Sequence, residues 1–458
     1  MPKLISTNPA KNYEEIGSVE ISTLAEIKSK VQAARKAQEK WGEIGVEKRI
    51  ALLKPILAEF KKQKRELADI ITKEIGKPIT QSLEDIDFDV DYFEWFLDNG
   101  AKILKPEVTS EDKESIHTIN YEPIGVVAAI VPWNYPSGNF LWAVIPNLIA
   151  GNTVVFKHSE ECPLCGKKME EIMTQANLPQ GVFSEVYGDG KAGEILVNQD
   201  VDMIWFTGST KVGKRLYEIA GKKFIKSISE LGGSNPGIVC QDADINEAVE
   251  SIYGARFSNA GQVCDALKRL IVHRSIFDKV IEKLKIFIEK KVVGDPKDIK
   301  TDIGSLVAKR QLELLESQVK DARQKGAKVI TDGKPAENLS GAYYPPTIIT
   351  NVTKEMRVWQ EEVFGPVLPI VAYDTDEEAI ELANDTKYGL GAYVYCQDRN
   401  KAKKIASQIK GGNISINGQN HFIPCNPFGG YKESGMGREH GAMGFRELCQ
   451  VKVVSSKK

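Results

Sequence analysis

From residue 122 onward the chain is a succession of short apolar runs rich in β-branched residues: IGVVAAIVP, NTVVFK, FSEVYG, MIWFTG and PGIVC, each bounded by Gly, Pro or Asn. Stretches with helical spacing, such as residues 166–176 and 211–220, stand between several of them. Strands that alternate with helices form a mostly parallel sheet covered on both faces. A second series follows residue 264: KRLIVH, a helical stretch over 276–291, TIIT, LPIVAY, AYVYCQ and NISIN. The expected fold class is therefore α/β, with two doubly wound α/β domains joined near Gly232-Gly233-Ser234. The crevice between them is the usual place for a cofactor to meet a substrate. Upstream, residues 24–41 and 46–75 carry apolar residues at three- and four-residue spacing, and Gly76-Lys77-Pro78 closes the second stretch. At 458 residues the chain is long enough for two or three domains.

Charge excludes some functions. With 61 basic and 63 acidic residues the net charge is -2, which offers no footprint for nucleic acid or an anionic membrane. The first residues lack the apolar core of a signal peptide, and the longest apolar stretch, 124–131, is too short to span a bilayer, so a cytoplasmic protein is expected. The seven cysteines are odd in number and scattered, which argues for reduced thiols. Cys162 and Cys165 form a CxxC without a second pair, and the five histidines follow no ligand spacing. The pair reads as two small apolar residues opening a helix, and no metal site is expected.

Several short motifs carry chemistry. Cys264 ends FSNAGQVC, and Glu230 opens ELGGSNP. A thiolate is a strong nucleophile, but a free thiol must be deprotonated first. Asn259, Gly261 and Gln262 read as a turn leading into a helix, which would place the sulfur at a positive dipole end. Glu230, backed by two glycines, can act as a general base on water if its cleft is partly buried. Taken singly, each also reads blandly: an inert buried thiol and a solvent-facing carboxylate. Asn134 lies between Pro132 and Pro136 in a stiffened loop, so its amide can serve an oxyanion together with the Cys264 backbone N–H. FTGSTKVG follows one strand and opens a helix, a phosphate-binding arrangement at Gly208 and Ser209. GDGKAG at 188–193 matches the dinucleotide fingerprint formally but lacks its downstream acid, and reads as a loop. In KHSE, Lys157 and Glu160 can reach ribose hydroxyls, where a carboxylate repels a 2′-phosphate.

Together these motifs resemble the NAD(P)-dependent aldehyde dehydrogenase superfamily. The resemblance covers nearly the whole chain, from PWNYP to PFGGYKESGMGRE, and ELGGSNP, GQVC and EEVFGPV in that order make it specific. It implies Cys264 as nucleophile, Glu230 as general base and Asn134 as oxyanion donor. It also implies cofactor contacts: Lys157 and Glu160 at the adenosine ribose, Gly208 and Ser209 at the pyrophosphate, Glu362 at the nicotinamide ribose, and Phe364 and Trp133 beside the nicotinamide cleft. The implied activity is oxidation of an aldehyde to the acid through a thiohemiacetal and a thioester, with NAD rather than NADP because of Glu160. A small-molecule aldehyde is the expected partner. The implied parts are an NAD-binding domain (1–104 and 123–232), a catalytic domain (233–436) and a small β bridging segment (105–122 and 437–458). Its edge strands predict a homodimer or homotetramer.

Three departures from the family pattern stand out, two of which bear on the substrate. Asp265 follows the nucleophile where the family usually carries a small or apolar side chain. It is expected to turn outward, or else to shape the pocket and favour cationic substrates. His158 replaces a proline after the ribose lysine, with little effect expected on cofactor binding. Trp142 stands where succinate-semialdehyde members carry an arginine for the substrate carboxylate. With Tyr135, His421 and Phe428 it makes an aromatic and mixed pocket mouth, which favours an apolar or aromatic aldehyde over succinate semialdehyde. A cofactor-independent thiol esterase and a non-catalytic binding protein are the rival classes.

Overall fold

The computed structural model describes residues 2–336, 339–418 and 420–458. A hairpin of β1 (Lys3–Asn8) and β2 (Glu14–Glu20) precedes four helices: α1 (Leu24–Glu43), α2 (Val46–Lys62), α3 (Lys64–Ile75) and α4 (Ile79–Ile103). The periodic stretch 46–75 divides at Gln63 into α2 and α3, and α3 ends where Gly76 adopts φ 79°, a left-handed cap that favours glycine. Next come β3 (Glu107–Glu111) and β4 (Ser115–Pro123).

The first predicted series follows as β5 (Val126–Ile130), α5 (Pro136–Ala150), β6 (Thr153–Lys157), α6 (Pro163–Thr174), β7 (Phe183–Glu185), α7 (Gly190–Val197), β8 (Met203–Thr207), α8 (Thr210–Lys223) and β9 (Lys226–Glu230). GDGKAG is thus no plain loop: Asp189 accepts from the Lys191 N–H and caps α7. The second series gives β10 (Asn235–Val239), α9 (Ile245–Phe257), β11 (Leu267–His273), β12 (Lys328–Val329), β13 (Thr347–Thr350), β14 (Val367–Tyr373), β15 (Gly391–Tyr395) and β16 (Asn413–Ile416). Short β17 (Gly435–Met436) and β18 (Cys449–Lys457) close the chain.

Two twisted sheets result. One runs β17-β9-β8-β5-β6-β7 and the other β12-β13-β14-β11-β10-β15-β16, parallel except for β17 and β12. Side chains on β5 and β6 are buried on both faces, which is why they read as continuous apolar runs. In the first sheet the chain leaves β5 toward β6 and β7, then returns to lay β8 and β9 on the other side. The β5/β8 junction is therefore a topological switch point, and the loops leaving both strands open onto one crevice. Only residues 231–234 separate β9 of one sheet from β10 of the other, so the two lobes join beside that crevice. A third sheet, β18-β4-β3, is antiparallel. No helix among the described residues is long and apolar enough to cross a membrane.

Candidate active site

A cavity of about 1030 Å³ lies between the two parallel sheets. The loop after β5 contributes Trp133, Asn134 and Tyr135, and α5 contributes Trp142. Gly208 and Ser209 enter from the end of β8 and Glu230 from the end of β9. The second lobe supplies Cys264, Asp265, Glu362, Phe364, His421 and Phe428. Segments from both lobes thus deliver to one space every residue expected from the sequence except two. Lys157 and Glu160 do not line it. They stand at the end of β6, next to the β5 strand end, where the buried Lys157 ammonium donates to the His158 carbonyl (2.9 Å) and lies 3.8 Å from Glu160. Burial holds the Lys157 ammonium below its ordinary range, with Glu160 opposing.

The turn before Cys264 is wound tightly. Asn259, Ala260 and Gly261 all have positive φ (50°, 51° and 72°). A Cβ on Gly261 would stand 2.5 Å from the Gly365 carbonyl, so only glycine fits there. Cross-ties fix the loop: Asn134 Nδ2 donates to the Gln262 carbonyl (3.1 Å), and Asn259 Nδ2 donates to the Asn134 carbonyl (3.1 Å). These bonds seat the Asn134 amide beside the Cys264 peptide. The chain then enters β11, not a helix, so the expected dipole end behind the sulfur does not exist. The half-buried Cys264 thiol is instead pushed up to about 12, by burial first and the Asp265 carboxylate second, with Lys268 opposing.

Asp265 does not turn outward either. It is buried, accepts from Asn235 Nδ2 at 2.6 Å, and lies 2.8 Å from His421 Nε2. Partners on β10 and on the loop after β16 draw the carboxylate inward, so it forms part of the cavity wall. His421 is in turn bound through Nδ1 to the Ser415 hydroxyl (2.7 Å) and stacks parallel to Phe428. Trp142 packs on Tyr92 and His440, and the Lys77 ammonium sits 3.8 Å over the Tyr135 ring.

Glu230 is buried, and neither carboxylate oxygen has a hydrogen-bond partner among the described residues. Burial lifts its carboxyl well above the usual range, the nearby Glu439 carboxylate adds to this, and Arg438 opposes. Glu439 is itself pushed up to about 8 by burial, with the Thr207 hydroxyl pulling back. Glu439 lines the same cavity and was not singled out from the sequence, although it ends the PFGGYKESGMGRE motif. His158, expected to matter little, is buried and bonded to Glu185 through Nδ1 (2.5 Å). Outside the cavity wall, Cys240, Asp242 and Cys396 gather within 4.8 Å across the β10 and β15 ends. Asp242 there already accepts from the Asp398 N–H and the Cys396 thiol.

A dinucleotide suits the crevice. Ser209 caps α8, leaving its first turn of N–H groups near the cavity wall. A Cβ on Gly232 would stand 2.3 Å from Glu362 Oε2, so the backbone there leaves room only for a carboxylate to approach. Trp133 and Phe364 meet edge to face at 5.7 Å and form an aromatic wall above it.

An α/β protein with two facing parallel sheets, a thiol, a buried carboxyl and a dinucleotide-sized crevice belongs among cofactor-dependent oxidoreductases. The pattern of the aldehyde dehydrogenase family matches residues 2–454, and the chain belongs to that family of NAD(P)-dependent enzymes. It is 37% identical over 455 residues to betaine aldehyde dehydrogenase of Bacillus subtilis (strain 168), covering 97% of this chain and 92% of that one. It is 34% identical to an NADP(+)-linked succinate-semialdehyde dehydrogenase of Escherichia coli (strain K12), covering 98% and 93%. Among solved structures, betaine aldehyde dehydrogenase of Staphylococcus aureus in complex with NAD+ superposes with a TM-score of 0.95 at 33% identity, covering 99% of this chain and 91% of that chain.

Proposed function

We propose that this enzyme oxidises an aldehyde with a neutral or cationic body to its carboxylic acid, using NAD and leaving no acyl group on a carrier. The carrying observation is the cavity wall. Among the described residues it includes no lysine or arginine, whereas Glu84, Asp85, Asp89 and Asp265 line it together with Phe88, Trp142 and Phe428. An anionic tail would meet carboxylates without a cation to pair with. Asp85 is paired with Lys77, and burial keeps the Asp89 carboxyl well above its usual range; Asp265, next to the thiol, would attract a cationic body through its charge while its oxygens stay bound to Asn235 and His421.

In this reading the Cys264 sulfur attacks the carbonyl carbon. The Asn134 amide and the Cys264 backbone N–H receive the developing negative charge, which a rigid pair of donors does better than water. A bound nicotinamide supplies the hydride acceptor. Gly208 and Ser209 would hold its pyrophosphate, Glu362 its ribose, and Trp133 and Phe364 its ring. Lys157 and Glu160 would take the adenosine ribose, and Glu160 supports NAD because its charge repels a 2′-phosphate. The acyl group remains on sulfur until Glu230 takes a proton from water and the acid leaves. Residues 1–104 and 123–232 would carry the cofactor, 233–436 the thiol, and 105–122 with 437–458 the subunit bridge. Support for a homo-oligomer comes from β18, whose residues after Cys449 are exposed, Val451, Val453 and Val454 among them. A cytoplasmic location agrees with the reduced cysteines.

The test is a panel of aldehydes followed at the reduced-nicotinamide band. Hexanal, benzaldehyde and betaine aldehyde are expected to give kcat/KM at least about tenfold above succinate semialdehyde, and NAD to outperform NADP by a similar margin. A preference for succinate semialdehyde would overturn the substrate reading. The variant Asp265→Asn separates the two favoured bodies. Betaine aldehyde should lose about tenfold in kcat/KM while hexanal changes little, and an equal gain on both, from a thiol relieved of the neighbouring charge, would show that Asp265 acts only on the thiol.

A further inference from the structure

Lys268 lies one residue into β11 and is fully buried. Its ammonium donates to three oxygens: the Gly233 carbonyl (2.8 Å), the Cys264 carbonyl (2.7 Å) and Glu362 Oε1 (2.7 Å). All three N–H donors of the ammonium are thereby used. Glu362 Oε1 also accepts from the Gly233 N–H at 3.1 Å. One cation thus joins three segments beside the cavity: the Gly232-Gly233 junction between the sheets, the peptide of the thiol, and the acid of EEVFGPV.

We propose that Lys268 is a positioning residue for the oxidation, holding the Glu362 carboxylate and the Cys264 loop in fixed relation and setting the charge seen by the thiol. The proposal rests on the reading of Cys264 as nucleophile and Glu362 as cofactor contact. A neutral side chain at 268 would leave two carbonyls without a donor and a carboxylate without a counter-charge, and each would be free to turn. Glu362 would then no longer present itself toward the crevice in one orientation. The charged groups facing the thiol are Asp265, Lys268, Glu362 and Glu230, with the phenols of Tyr135 and Tyr393 behind them. Lys268 is the cation of this set, while Arg256 stands beyond it and opposes its charge. Burial lowers the Lys268 ammonium, and Glu362 restores much of its hold on the proton. Removing Lys268 therefore raises the thiol, whereas removing the Glu362 charge lowers it.

These opposite signs make the test. Alkylation of Cys264 by iodoacetamide, without cofactor, is measured against pH in the full-length enzyme and in Lys268→Met, Lys268→Arg and Glu362→Gln. Lys268→Met should slow alkylation at pH 8 about tenfold, as one unit of added pKa does, and lower kcat/KM for NAD more than about tenfold. Lys268→Arg, which keeps the charge, should return the alkylation curve toward the parent. Glu362→Gln should accelerate alkylation, and it answers the same question if Lys268→Met does not fold. Superimposable alkylation curves for folded Lys268→Met or for Glu362→Gln would overturn the proposal and leave Lys268 a purely structural cation. A parent enzyme that fails to oxidise any aldehyde would overturn the underlying reading instead.

Discussion

Replacing Cys264 by alanine is expected to remove aldehyde-dependent reduction of NAD by a factor on the order of 10⁴ or more, the scale seen when a covalent nucleophile is deleted from a working constellation. The fold should survive. Cys264 is half-buried in a loop held by other residues, through Asn134 to the Gln262 carbonyl and Lys268 to the backbone carbonyl of residue 264, so the side chain supports little packing. Binding of NAD, followed by quenching of tryptophan fluorescence, should persist because none of the proposed cofactor contacts involves the sulfur. Ester cleavage should disappear together with dehydrogenation, since both would start from the same thiol. Loss of dehydrogenation with ester cleavage intact would assign the hydrolysis to another group. Full dehydrogenase activity in Cys264→Ala would end the covalent mechanism. The pH dependence has a definite sign as well. Burial and Asp265 push the thiol up to about 12, so in the parent enzyme without cofactor the rate of thiol alkylation should still be climbing at pH 9.

What could be read from the sequence, and what could not, follows from how locally each feature is determined. The strands of both series were legible because parallel strands buried on both faces are continuous apolar runs, as in Val126–Ile130 and Thr153–Lys157. Helix α5 was not legible as a helix. Buried nearly all round, it has no polar face to mark the period, and it contains Pro146. The catalytic candidates stood out because turn residues and paired glycines flank them, and backbone constraints leave a local trace. Their electrostatics leave none. The turn before Cys264 suggested a helix, yet Leu267 already begins a strand, and that alone reverses the expected effect on the thiol. Asp265 was placed outward for want of a visible partner, but its partners Asn235 and His421 lie 30 and 156 positions away. Lys268 reads as an ordinary polar residue at a strand start. Its importance arises only when residues 233, 264 and 362 converge on it.

Glu230→Gln is expected to divide the reaction in two. Attack by Cys264 and loss of the hydride do not need a base on water, so the first turnover should still yield about one equivalent of reduced nicotinamide per thiol. Release of the acid does need it, and the steady rate should fall by about 10²–10⁴, the usual contribution of a positioned general base. The acyl enzyme should then accumulate and be visible by mass spectrometry as an adduct on Cys264. In the parent, burial and Glu439 hold the Glu230 carboxyl well above its ordinary range, so the basic form grows as pH rises and the steady rate should rise with it. Stability moves in the opposite direction. Between the unfolded carboxyl's range and the raised folded one, the unfolded chain ionises Glu230 while the folded chain keeps the proton, so folding weakens as pH increases. The glutamine variant lacks that penalty, and its melting temperature should gain on the parent's progressively from pH 5 upward, levelling once Glu230 is ionised in the folded protein. A steady rate reduced without a first-turnover burst would place Glu230 in the attack step instead, and parallel melting curves across pH would mean that its carboxyl is not held above its ordinary range.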